Sequence, residues 1–146
     1  MTNYPALTKT EQEPEYKINP PLKISSMGVE IKKGSSQMPD GSALLTETGS
    51  NSSLKTQGIN YIIHAVPKMR SSCGSDEEFI EIAVKAAQNS IILADREGID
   101  KLAICLIGGE AYRGSCDPSK LAEGIIRGSI NQLEKCQNLK GINLMD

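Results

Sequence analysis

Two short apolar runs separated by one long helical pattern constrain the fold of this chain more than any other feature. The first run covers Tyr61–Val66 and ends at Pro67, and the second covers Leu102–Ile107 and ends at Gly108. Neither run alternates apolar with polar residues, which is typical of strands covered on both faces of a sheet. Because parallel strands need a long crossover, the pattern predicts a strand–helix–strand unit.

The segment between these runs predicts a helix with a clear start. Ser75 is followed three residues later by Glu78, which is a capping-box pattern, and acidic residues suit the positive end of a helix dipole. Residues of one face then recur at steps of three and four, and Gly98 is the predicted stop. The face consists of Phe79, Ile82, Ala83, Ala86, Ser90 and Leu93.

A second helix is predicted to begin at Asp117, with Pro118 at its first helical position, where a missing N–H is tolerated. Gly141 follows its end, and Ile142–Met145 is the predicted last strand. The predicted buried stripe of this helix is Leu121, Ile125, Ser129, Leu133 and Cys136.

The front of the chain is predicted to contain a flexible tail over residues 1–15 and then one domain over 16–146. Tyr16–Ile18 and Ser42–Thr46 are long enough only for short strands. Pro20-Pro21 stops the first of them, and the Asp40-Gly41 turn precedes the second. Together the elements predict a three-layer α/β/α sandwich with a mixed central sheet.

Composition excludes several function classes. The net charge of -2 and the lack of tryptophan argue against nucleic acid as a partner. No run approaches the roughly 20 apolar residues of a membrane helix, and the polar N-terminus is unlike a secretory signal. Four cysteines without a CxxC pair, and a single histidine, predict no metal site and no cofactor. We therefore expect reduced thiols and a cytoplasmic protein.

The best candidate site is the loop from Gly108 to Pro118, because ligands gather where strands of α/β sheets end. Its glycines would let the backbone approach an anion, and the following helix start adds partial positive charge. Arg113 is a candidate phosphate partner and Tyr112 a candidate cover. The plain alternative is a connection that needs glycine only for its turns. The loop lacks the Gly-Lys-Ser/Thr end of a Walker motif.

The other polar candidates have simpler explanations. Ser25–Val29 is read as an ordinary turn, and His64 as a packed core histidine with one satisfied ring nitrogen. A nucleophilic pair of Cys73 with His64 depends on sequence proximity alone. Glu77 and Glu78 are explained as helix-capping charges rather than as an acid and a base.

Several of these residues resemble motifs of the macro domain family, an ADP-ribose-binding α/β fold. Ile62–Pro67 resembles the family's VIHAVGP strand, with one glycine missing. Asp40–Gly49 resembles its G-x-A-x-x-T-x-G strand, and Leu106–Pro118 stands where the family has its phosphate loop. The resemblance runs from about Tyr16 to Asp146, and its first two motifs are the specific ones.

The resemblance implies a ligand site made of two loops that hold the diphosphate of an ADP-ribose-like ligand through backbone amides. The implied ligand-binding residues are Met27, Gly28 and Val29 in the first loop and Gly108, Gly109, Glu110, Ala111, Tyr112 and Arg113 in the second. Ile18–Pro21 stands in for the family's V-N-A-A-N segment, so Asn19 is the implied catalytic residue. The implied partner is ADP-ribose or an ADP-ribosylated protein.

The sequence also departs from the family's pattern. The early G-D-I aspartate and the second asparagine are missing, and Glu110 falls near a glycine position, where its carboxylate would repel phosphate. Three hypotheses therefore remain open. The first is a nucleotide-binding module, the second is a degenerate fold that serves as a protein-interaction scaffold, and the third is a weak ADP-ribosyl hydrolase.

Overall fold

The structure is a computed structural model that describes residues 24–27 and 38–145. The predictions for the tail, for the strand at Tyr16–Ile18, and for Asn19, Gly28 and Val29 lie outside the described residues. The described strands are β1 (Ile24–Met27), β2 (Ala43–Glu47), β3 (Tyr61–Ala65), β4 (Lys101–Ile104) and β5 (Gly141–Leu144), and the helices are α1 (Ser53–Thr56), α2 (Asp76–Arg96) and α3 (Pro118–Leu133).

The first three strands form an antiparallel sheet in the order β1-β2-β3. Met27 lies opposite Ala43, and Ala43 lies opposite Ala65, so these three residues mark one end of the sheet. Gly41 enters β2 with φ +84° and donates its N–H to the carbonyl of Val66. The predicted turn at Asp40-Gly41 and the strand that follows it are confirmed.

The segment Ser25–Met27 differs from the predicted turn. These residues lie in strand β1, which pairs with β2. β2 pairs with β3 along one edge, and β1 covers its other edge, which would otherwise present unpaired backbone groups. This pairing joins segments that are distant in the sequence, so a local sequence pattern does not reveal it.

β4 and β5 form a separate parallel pair, with Lys101 opposite Gly141 and Ile104 opposite Leu144. In β4 the exposed Lys101 and Ala103 alternate with the half-buried Leu102 and the buried Ile104. The prediction that this strand is covered on both faces is wrong, because only the face that carries Leu102 and Ile104 packs against the core. Apolar residues on both faces do not by themselves place a second layer over a strand.

The caps of both long helices are confirmed. The Ser75 side chain accepts the N–H of Glu78, and Glu78 reaches back to the N–H of Gly74 at 2.7 Å, which completes a capping box. α2 ends before Gly98, whose φ is +77°. Asp117 caps α3 by accepting the N–H of Ser119.

The two long helices pack against each other and share one core with the strands. Phe79, Ile91, Leu121 and Ile125 are almost completely buried in this core. Gly128 of α3 allows a close approach, since a Cβ there would lie 2.5 Å from the Val84 side chain. The α/β class is confirmed, and the described strands lie in two separate sheets.

Candidate functional site

The loop after β4 packs against the start of α2. Gly108 has φ +84°, and a Cβ at this position would lie 3.2 Å from the ring of Phe79. Gly114, with φ +58°, lies equally close to the side chain of Arg70, which belongs to the segment after β3. The two segments that follow β3 and β4 are therefore brought together at one end of these strands.

Glu110 has a backbone conformation that is rare for a residue with a side chain. Its φ is +58°, and it is the one non-glycine residue with positive φ in the described part of the chain. A short 3-10 helix over Glu110–Tyr112 starts there. The left-handed conformation costs about 1–2 kcal/mol for a non-glycine residue, so the surrounding loop must hold it in place.

Two backbone amides of this loop have no acceptor among residues 38–145. The N–H groups of Gly109, Tyr112 and Arg113 bond to carbonyls within the loop. Those of Glu110 and Ala111 donate to none of the carbonyls or side chains of residues 38–145. Two consecutive unpaired amides next to a left-handed residue are suited to bind an anion.

Among residues 38–145, the cationic side chains of the segment after β3 and of the loop have protein partners. Arg70 forms an ion pair with Asp76, and Lys68 lies 3.5 Å from the Glu78 carboxylate. Arg113 donates to the Cys116 carbonyl at 2.9 Å, within its own loop. Sequence analysis missed the contribution of Lys68 and Arg70, although both follow the Tyr61–Val66 strand and so had to lie at this end of the sheet.

The starts of the two helices carry negative charge at this site. The Asp117 carboxylate caps α3 and occupies the position where an external anion would gain from the helix dipole. The first turn of α2 contains Asp76, Glu77 and Glu78. The Gly74 N–H and the nearby Lys68 keep the pKa of Glu78 below its usual value, which favours its charged form. An anion at this site must therefore depend on the loop amides rather than on a helix terminus.

Met27 lies at the end of β1, on the far side of β2 from β3. Met27 is opposite Ala43, and Ala43 is opposite Ala65. With about 4.8 Å between neighbouring strands, Met27 is about 10 Å from Ala65.

His64 is a packed histidine, as predicted. Its Nε2 lies 3.2 Å from the Thr46 hydroxyl, and burial lowers its pKa, so the neutral ring is favoured. The Cys73 thiol instead donates to the Met69 carbonyl, and burial raises its pKa. A raised thiol pKa disfavours the nucleophilic thiolate. The pairing of Cys73 with His64 is therefore not supported.

The second feature of this region is a groove of about 1170 Å³ that begins at the loop. It runs between β3 and β4 and is lined at the loop end by Ala65, Pro67 and Gly108-Gly109.

Residues 38–145 contain no group of three or more His, Cys, Asp or Glu side chains arranged to hold a metal ion. Within the same residues, no helix has the length and apolar character needed to cross a bilayer.

The pattern that defines the Macro domain family matches residues 21–121, which is more than half of the chain. The chain belongs to the Macro domain family. Comparison with curated proteins gives no match. Macro domains are in general ADP-ribose-binding modules, and the β2–β3 pair of this macro domain places the G-x-A-x-x-T and HAVP segments side by side. The roles of the individual site residues, from Asn19 to Arg113, stay predictions.

Proposed function

We propose that this macro domain binds ADP-ribose or a related nucleoside diphosphate, with the diphosphate held by the loop Gly108–Arg113. The observation that carries this proposal is the pair of unpaired amides at Glu110 and Ala111. A phosphate oxygen that accepts both would gain charge-assisted hydrogen bonds of about 1.5–3 kcal/mol each. Tyr112 is 43% exposed beside them and is available as a cover.

The charges around the loop determine how such binding behaves. Because Lys68, Arg70 and Arg113 are engaged with protein acceptors, few counterions are released when a diphosphate binds. We therefore expect an affinity that changes little between 50 and 300 mM salt, in contrast to binding through free cations.

The discriminating experiment is calorimetry with ADP-ribose on the wild-type chain and on Glu110→Gly. The substitution removes a carboxylate next to the diphosphate and provides a residue that adopts φ +58° without strain. We expect roughly tenfold tighter binding, which corresponds to about 1.4 kcal/mol. Glu134→Gln, at the far end of α3, removes one negative charge outside the loop and should leave the affinity unchanged. No heat from either loop form at millimolar ADP-ribose would overturn the proposal.

A scaffold without nucleotide binding is the second candidate. The engaged cations and the acidic starts of both helices favour it, because they make the site unattractive to anions. It predicts that Glu110→Gly also fails to bind ADP-ribose and that a protein partner copurifies with the chain.

Hydrolysis by an activated water, with Asn19 as a residue of the catalytic site, stays a prediction, since Asn19 lies outside the described residues. Turnover of an ADP-ribosylated protein by the wild-type chain, and its loss in Asn19→Ala, would support that role. Equal turnover by both forms would contradict it.

A further inference from the structure

The Arg70 side chain joins three segments at the start of α2. Its Nε donates to Oδ1 of Asp76, in the first turn of α2, and its Nη1 donates to the Cys73 carbonyl at 3.2 Å. Its Cβ and Cγ lie against Gly114, at 3.3 and 3.4 Å from where a Cβ of that glycine would be. One side chain therefore connects the segment after β3, the first turn of α2 and the loop after β4.

These contacts hold the Arg70 guanidinium in one place. The Arg70 side chain is 24% exposed, whereas that of Arg127, which pairs with Glu123 on the surface of α3, is 75% exposed. A long side chain in solvent gains little from one ion pair, because ordering the side chain costs entropy. Arg70 has three contacts and is largely removed from solvent, so it can act as a fixed point for the segments that it touches.

The loop after β4 is held at three points. Gly108 lies against the ring of Phe79, and Cys116 is fully buried in the main core. Gly114 is exposed, and its contact is with the stem of Arg70. The two unpaired amides of the loop lie between the contacts of Gly108 and Gly114. Arg70 therefore bounds the part of the loop that would hold a ligand.

We propose that Arg70 is a positioning residue that, anchored by Asp76, keeps the amides of Glu110 and Ala111 in a geometry that an anion can use. The part of this inference that concerns a ligand rests on the proposed function, and the part that concerns the order of the loop does not. Amides that are already aimed at an anion bind it more tightly than amides that must first be ordered. The left-handed conformation of Glu110 also needs support from its surroundings.

A positioning role and a direct electrostatic role predict opposite effects of one substitution. If the Arg70 guanidinium bound a phosphate itself, Asp76 would compete for it, and Asp76→Asn should tighten the binding of ADP-ribose. If Arg70 positions the loop, Asp76→Asn removes its anchor and should weaken binding, although the substitution also removes a negative charge. The helix start is kept in this variant, because the N-cap of α2 is Ser75.

Residue-resolved hydrogen exchange on the ligand-free chain tests the effect on the loop. Residues 112–113 donate their N–H groups to carbonyls of the same loop, so the protection of these amides reports the order of the loop. We expect them to exchange about tenfold faster or more in Arg70→Met and in Asp76→Asn. Arg127→Met, which breaks the exposed pair on α3, should leave their exchange rates unchanged. Unchanged loop amides in the first two variants, or an equal acceleration of the α3 amides through general destabilisation, would contradict the positioning role.

Calorimetry with ADP-ribose tests the consequence for binding. We expect about tenfold weaker affinity in Arg70→Met and in Asp76→Asn. The double variant should bind no more weakly than either single variant, because both substitutions remove the same anchor. Arg70→Lys, which keeps a cation opposite Asp76, should recover part of the affinity. Glu77→Gln, which removes the neighbouring exposed carboxylate, should not weaken binding.

Failure of the proposed function and failure of the positioning role give different results. A wild-type chain that gives no heat with ADP-ribose contradicts the proposed function, while hydrogen exchange still decides whether Arg70 orders the loop. A wild-type chain that binds, together with tighter binding by Asp76→Asn or additive losses in the double variant, would overturn the positioning role alone.

Discussion

Replacing Gly128 with alanine tests the close contact between α2 and α3. The added Cβ would lie 2.5 Å from Cγ1 of Val84, whereas carbon atoms prefer about 3.5–4.0 Å. Valine is stiff at χ1, so the clash cannot be relieved by a cheap rotation and the helices must separate. Such overpacking costs about 1–3 kcal/mol, while alanine gains about 1 kcal/mol in helix propensity. We expect Gly128→Ala to lower the free energy of unfolding by about 1 kcal/mol.

A double-mutant cycle isolates the contact from the propensity effect. Val84→Ala removes the clashing methyl group, so in that background Gly128→Ala should raise the free energy of unfolding by up to about 1 kcal/mol. The coupling energy is then about 2 kcal/mol, within the range found for residues in contact. Urea unfolding followed by far-ultraviolet circular dichroism gives all four values. A stabilisation of equal size in both backgrounds would refute the packing argument.

Three further predictions concern caps and titrating groups. Ser75→Ala should lower the free energy of unfolding by about 1 kcal/mol in urea titrations, because the Glu78 N–H loses its acceptor. The Asp95 carboxylate accepts the N–H groups of residues 137–139, with that of Leu139 contributing most, and its pKa is lowered. The contribution of this carboxylate to stability is therefore complete above about pH 4 and is lost as pH falls through the lowered pKa. Asp95→Asn should reduce the fall in melting temperature between pH 5 and 2, which thermal melts at several pH values would measure. Burial lowers the pKa of His64 in the folded protein, so as pH falls the imidazole is protonated in the unfolded chain before it is protonated in the folded one. The free energy of unfolding should therefore decrease below about pH 6.5, and His64→Gln should remove this pH dependence in urea titrations.

Local chemistry accounts for the parts of the fold that sequence analysis predicted correctly. The cap at Ser75, the Asp117-Pro118 helix start and the turn before β2 each depend on residues within four positions of one another. Such preferences act in any context and can be read without the rest of the chain. The buried Leu121 and Ile125 follow from helical periodicity in the same way.

The loop after β4 was predictable from the sequence, but the partners of its charged side chains were not. The glycines after Ile107 indicated a loop at the end of a strand, and the structure has such a loop. The partners of Arg70 and Arg113 depend on which segments meet in space. The sequence indicated an Arg113 side chain available to a phosphate, whereas in the structure this side chain donates to the carbonyl of Cys116. The pairing of Cys73 with His64 failed for the same reason, because proximity in sequence does not align two side chains.

The order of strands and helices after residue 60, the helix caps and the placing of a glycine-rich loop were determined by the sequence alone, since each depends on backbone preferences and short-range hydrogen bonds. The tertiary structure alone decided the positive φ of Glu110, the contact of Gly128 with Val84 and the groove between β3 and β4. These features depend on the distances between segments far apart in the chain, and packing sets those distances only when the whole core has formed.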